Sequence, residues 1–379
     1  MQSHITEHSD PVVNALRAEA VEVFTRTGFP TSHDERYRYT AVGEAFAPNY
    51  GFQLMSGNTG SSPQIPDCFG TLADVHADPL VALNTMLTQD VLVVRVPARE
   101  VRSHPLQISN IARATAPLLQ VRRILIIVEP EAHVQIILSD KAEADQDFLT
   151  SQVTELFVGQ GADVELYDME ETHARYRRFH HLFADVAANA RLTHTVATLD
   201  CGLTRNQTDV RLSGEGAQAT LLGCAVADAS QHVANDTLIH HVAPGCESNE
   251  LYKYVVDENA TAAFAGRILV AQDAQQTVSN ERNANLVCAP TAHMWTQPML
   301  EIYADDVQCS HGATVGQLND DALFYMRQRG ISADEARTLL KQAFAAEVIA
   351  QVPLEALRPR LTHLIDKRFR ACENCRLCK

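Results

Sequence analysis

No stretch of this 379-residue chain comes near the roughly 18 apolar residues that a membrane span needs. The best run, Ile124–Val128, is far too short. Basic residues are also scarce: 31 Lys and Arg stand against 47 Asp and Glu, a formal net charge of −16. A field of that sign repels phosphate backbones and anionic lipid, which argues against nucleic acid and membrane as partners. The N-terminus, MQSHITEHSD, has no apolar signal-peptide core, so the expected location is the cytoplasm, where thiols stay reduced. Nine cysteines, an odd number at irregular spacing, do not form a disulfide framework. Enzyme signatures are missing too: there is no Gly-x-Ser-x-Gly elbow, P-loop, dinucleotide fingerprint or His-Glu-x-x-His. The Gly-Asx turns of antiparallel hairpins are few.

What is present is a repeat. Turn-then-strand units begin at Glu131, Gly161, Asn189, Gly216, Gly245, Asp273 and Ala304, 27 to 31 residues apart. The strand-like segments between residues 91 and 305 include VLVVRV, HVQIIL, DVELYD and ELYKYV. A near-constant period signals a stacked architecture, and two or three short strands fit in one period. A parallel β-helix suits it better than a β-sandwich, whose turns also recur. The expected class is therefore mainly β, with residues 91–322 as the β-helix core.

Both flanks read as helical. In residues 1–90, Pro11 opens a helix that Gly28 stops, and residues 50–70 read as an irregular connection. Leading into residues 323–379, Asp320–Tyr325 begins a helical pattern that stops at Gly330. Ser332 and Glu335 then form a capping-box pattern. Leu339, Leu340, Ala343, Phe344, Val348 and Ile349 are the expected apolar stripe. Pro353 breaks that helix, and a further amphipathic one spans Leu354–Phe369.

Cys309 and His311 stand two apart in a strand and so share one face, where a thiolate and an imidazole suit a soft metal or sulfur. Two ligands do not complete a metal site, so others must come from elsewhere in the fold or from another subunit. Against this, an inward Cys in a solenoid is most often a small hydrophobe. Cys372, Cys375 and Cys378 form a Cys-x2-Cys-x2-Cys tail of the kind seen in iron–sulfur segments, without the fourth cysteine. A tail with surface thiols is the plainer reading. Cys201, Cys224, Cys246 and Cys288 read as core. His180-His181 and His240-His241 each place their members on alternate faces and read as structural.

These residues carry a resemblance. NANL, TQPMLEIYADDVQCSHGATVGQL and DDALFYMRQRGI, within Asn283–Gly330, resemble the SufB/SufD family of iron–sulfur cluster assembly proteins. The segment ADEARTLLKQAFAAEVIAQVPLEALR is similar to that family's C-terminal helices. GFPTSHDERYRYT is similar to its N-terminal segment, with Tyr37 where a Trp is usual. The Cys-Ser-His-Gly form at 309–312 matches the SufD branch, whereas the SufB branch has Glu-His-Glu-Ala-Thr. The resemblance implies a right-handed parallel β-helix between helical domains. It also implies a non-enzymatic scaffold subunit that pairs with SufB through the β-helix and with the ATPase SufC through the C-terminal helices. A nascent, transient iron–sulfur cluster would form at the SufB–SufD interface, with His311 contributing from this side and Cys309 beside it. In isolation a homodimer is expected to stand in for the pair. Flavin is associated with such complexes, but nothing in this sequence marks a flavin pocket. Cys288 and His293 take no role from the resemblance. The rival readings are a β-helix enzyme acting on polysaccharide or acyl substrates, and a metal-storage or metal-sensing protein that uses the C-terminal thiols.

Overall fold

The computed structural model describes residues 10–53 and 65–370. Two parallel sheets face each other across one interior, with an apolar core beside a row of buried polar and charged side chains. The first contains β1 (Gly51–Gln53), β2 (Val91–Val96), β4 (Leu118–Val128), β6 (Phe148–Val158), β8 (Tyr176–Val186), β10 (Leu203–Leu212), β12 (His232–His241), β14 (Thr261–Val270) and β16 (His293–Ile302). The second contains β3 (Leu106–Ala112), β5 (His133–Ala142), β7 (Asp163–Glu171), β9 (Arg191–Asp200), β11 (Gln218–Ala227), β13 (Glu247–Val256), β15 (Thr277–Val287) and β17 (Val307–Gly316). The chain alternates between the sheets, so each coil supplies one strand to each. Every ladder among the described residues is parallel, for example β13 with β15 and β15 with β17. This is a parallel β-solenoid and not a sandwich, whose hairpin-linked strands would run antiparallel. The sequence period is therefore two strands of about ten residues and two corners. Residues 51–53, expected in an irregular connection, instead add a short strand beside β4.

The repeated turn has a backbone cause. Arg99, Glu131, Gly161, Asn189, Gly216, Gly245 and Gln276 all have φ between 55° and 70°. Each donates its N–H to a carbonyl in the corner of the following coil: Gly161 to Ala188, Asn189 to Glu215, Gly216 to Pro244. One left-handed residue per coil thus turns the chain and links corner to corner. Glycine occupies three of these places because L side chains resist positive φ.

Helices cover the two outer faces. α1 (Pro11–Thr27) is capped by the Asp10 carboxylate, with Pro11 in its first turn and Gly28 at its end. α2 (Val42–Ala45) and α3 (Pro79–Leu87) follow. Val81, Leu83 and Phe46 from this region pack on Leu119, Val153 and Phe179 of the first sheet. Beyond the strands come α4 (Asp320–Gln328), α5 (Ala333–Gln351) and α6 (Arg358–Arg370). Val348, Ile349, Leu361 and Ile365 pack on Leu222, Cys224 and Leu251 of the second sheet.

The buried face of α5 differs from the expected stripe. Ala336 and Ala345 are buried and Ala343 is exposed. A helix lying close on a sheet turns small side chains toward the contact, so the spacing of large residues misplaces the face. The Ser332 hydroxyl does accept the Glu335 N–H, at 3.2 Å, but the Glu335 carboxylate pairs with Arg370 rather than closing the capping box.

Candidate functional site at the open end of the solenoid

Among the described residues, no further strand lies on the last coil: β17 pairs only with β15, and β16 only with β14. Both registers run through ten residue pairs, so the two edges end flush. Inward positions of β15 alternate with exposed ones: Thr277, Ser279, Glu281, Asn283 and Asn285 are buried. Their partners on β17 are Val307, Cys309, His311, Ala313 and Val315. These residues therefore face the interior, yet His311, Ala313 and Val315 are exposed because no further coil lies over them. Cys309 is half-buried against Ile268, Val270 and Ala304. Burial pushes its thiol above the ordinary value.

Cys309 and His311 thus occupy inward-facing positions two apart on β17, on the face that looks into the mouth of the coil. The ring is open to solvent at a strand edge, and the thiol is half-withdrawn behind it. Polar groups line the mouth. Thr296 on β16 donates to Asn283 Oδ1 at 2.8 Å, joining the two sheets, and Asn285 donates to the Thr314 carbonyl at 2.9 Å. Apolar groups rim it: Val315 (52% exposed), Tyr303 (64%) and Ile302. Trp295 on the β16 edge stacks on Tyr39 with ring centroids 5.1 Å apart.

Behind the mouth the interior row continues. Glu250 on β13 and Glu281 on β15 stand in register with each other and with His311. Sequence reasoning missed both glutamates. The signal was there, since Glu250, Glu281 and His311 are spaced by about one coil, but reading it requires the strand register.

Deeper in the same interior the charges are matched. Arg178 donates to Asp140 at 2.9 Å and to Asp168 at 2.6 Å. The His180 ring lies 2.6 Å from Asp168 through Nδ1, and its Nε2 lies 3.0 Å from Gln152. Burial alone would push Asp168 up. Arg178 and His180 outweigh it and hold the carboxyl well below the usual carboxylate range. His180 itself is lowered by burial, so the neutral ring donates from Nδ1 and accepts at Nε2.

The other candidates lie apart. Cys201, Cys224 and Cys246 are buried and Cys288 is half-buried. His181 faces the opposite way from His180 but is also buried. The N-terminal segment covers it, with the Tyr37 hydroxyl 3.2 Å away and itself donating to Asp78 at 2.7 Å. Cys372, Cys375 and Cys378 lie outside the described residues. No three His, Cys, Asp or Glu side chains among the described residues are grouped to hold a metal. No helix among them is long and apolar enough to cross a membrane.

A two-sheet parallel solenoid with helices on both outer faces defines the class: a β-solenoid protein flanked by helical segments. Residues 110–344 match the model of the SUF system FeS cluster assembly SufBD core domain. Residues 1–68 and 61–108 match the SufBD protein N-terminal region. The chain belongs to the SufBD family of iron–sulfur cluster assembly proteins. It is 32% identical over 310 residues to an iron–sulfur cluster assembly SufBD family protein of Synechocystis, covering 78% of this chain and 65% of that one. It is 37% identical over 165 residues to the iron–sulfur cluster assembly protein SufD of Escherichia coli, covering 44% and 39%. A SufBD family protein of Mycobacterium tuberculosis is 34% identical over 203 residues, covering 52% and 51%. The matches thus span less than two thirds of the length of these relatives.

Proposed function

We propose that this chain is a SufD-type, non-catalytic scaffold subunit on which an iron–sulfur cluster is assembled as cargo. His311, exposed on an interior-facing position at an unpaired strand edge, is the observation that carries the reading. One imidazole and a half-buried thiol are an incomplete ligand set, and a partner seated on the same edge completes it. Imidazole is a borderline ligand, which suits a cluster that must leave again. The partner at the β16–β17 edge is SufB, or a second copy of this chain when SufB is absent. The ATPase SufC binds at the C-terminal helices. In support, α4 buries none of its residues and leaves Phe324 and Tyr325 exposed.

The test is co-expression with SufB and SufC, native against His311→Ala, followed by anaerobic cluster reconstitution. The expected result is an intact complex whose charge-transfer absorbance from bound cluster is largely lost. Unchanged cluster yield removes His311 from assembly, and a complex that fails to form makes the residue structural.

A further inference from the structure

Glu250 and Glu281 are adjacent across the β13–β15 ladder, both inside the solenoid, with 2% and 1% of their surface exposed. Among the described residues, none of their four carboxylate oxygens makes a hydrogen bond of normal geometry. The Thr237 hydroxyl from the opposite sheet faces Glu250, and Tyr252, two residues on along the same strand face, is buried with it; neither hydroxyl has a hydrogen bond of normal geometry among the described residues. No cation is paired with either glutamate among the described residues, although Arg178, Arg123 and His180 match the acids elsewhere. Two acids stacked without compensation in a dry interior are costly, and a protein retains such a pair only with a bound proton or cation between them. Room has been made for this pair. A Cβ at Gly266 on β14 would lie 2.5 Å from Glu281 Oε1, so glycine there lets the carboxylate reach across to the other sheet.

We propose that Glu250 and Glu281 bind a divalent cation inside the solenoid, one to two strands behind His311, entering through the open mouth. Oxygen donors of this kind suit Mn2+ or Fe2+, with water and the Thr237 and Tyr252 hydroxyls filling the remaining positions. Assigning iron as the physiological cation rests on the function proposed above; the site itself does not.

The probe is Mn2+, titrated into the full chain and followed by electron paramagnetic resonance. We expect one ion per chain, with affinity at least ~10-fold weaker in Glu281→Gln and in Glu250→Gln, and unchanged in Glu247→Gln, an exposed acid on the same strand as Glu250. Both glutamine variants keep the side-chain shape and remove an uncompensated charge, so their melting temperature in chelator should match or exceed the native one. No bound Mn2+ in the native chain, or equal binding in Glu281→Gln, overturns the proposal. The titration uses the chain alone and the His311→Ala assay uses the complex, so either can fail without the other.

Discussion

Arg178 is fully buried between Asp140 and Asp168, and its removal strands two carboxylates in the interior. Breaking a buried ion network by deleting one partner costs about 3–5 kcal/mol. Arg178→Met should therefore lower the unfolding free energy by that amount, read as a lower urea midpoint at an unchanged slope. The pH dependence has a definite sign. Asp168 is depressed in the folded chain, so its contribution is fully present above the unfolded-state value of about 3.9 and is lost as pH falls below it. Melting temperature should drop steeply below about pH 4 in the native chain, and less steeply in Arg178→Met. Glu281 has the opposite sign. Burial raises it to about 7. The stability it allows is full below the unfolded-state value of about 4.3 and is lost as pH rises through the folded one. In chelator the native chain should lose stability between about pH 5 and 8, and Glu281→Gln should flatten that slope. An unchanged slope would show that the carboxyl is not buried as described.

At the scale of elements, the corner column explains what the sequence made legible. The period was visible because a left-handed residue recurs once per coil and glycine or asparagine marks it at Gly161, Asn189, Gly216 and Gly245. A second corner holds Ala229 and Glu258 at φ 50° and 51° without glycine. The left-handed region costs an alanine about 1–2 kcal/mol, offset in part by the greater freedom glycine has when unfolded. Ala229→Gly should therefore raise stability by about 0.5–1 kcal/mol in chemical denaturation. The Cys309–His311 pair was legible for a similar local reason, because alternation along one strand needs no knowledge of the fold. Glu250 and Glu281 were not. Their relation to His311 runs across coils, and acidic side chains in the interior contradict the pattern by which an inward face is recognised. The buried face of α5 was misplaced because alanines carry the contact. His181 is buried on an outward face because a segment more than a hundred residues away in sequence covers it.

For the whole molecule, the open end is the surface on which the proposed pairing with another chain can be tested. β16 and β17 together offer two flush, ten-residue edges with unpaired backbone groups, and natural proteins rarely leave such edges bare. The mouth between them carries the uncovered side chains Ala313 and Val315. Edge pairing with another solenoid would satisfy the backbone and bury those side chains at once. The chain alone should accordingly run as a dimer in light scattering at micromolar concentration. Val315→Asp places a charge within that contact, where an uncompensated carboxylate is costly to desolvate. Val315 is already half-exposed in the single chain, so the substitution should change monomer stability by no more than about 0.5 kcal/mol. The expected result is a folded monomer with the native unfolding slope. A dimer that survives Val315→Asp would place the contact elsewhere, and with it the partner surface assigned to His311.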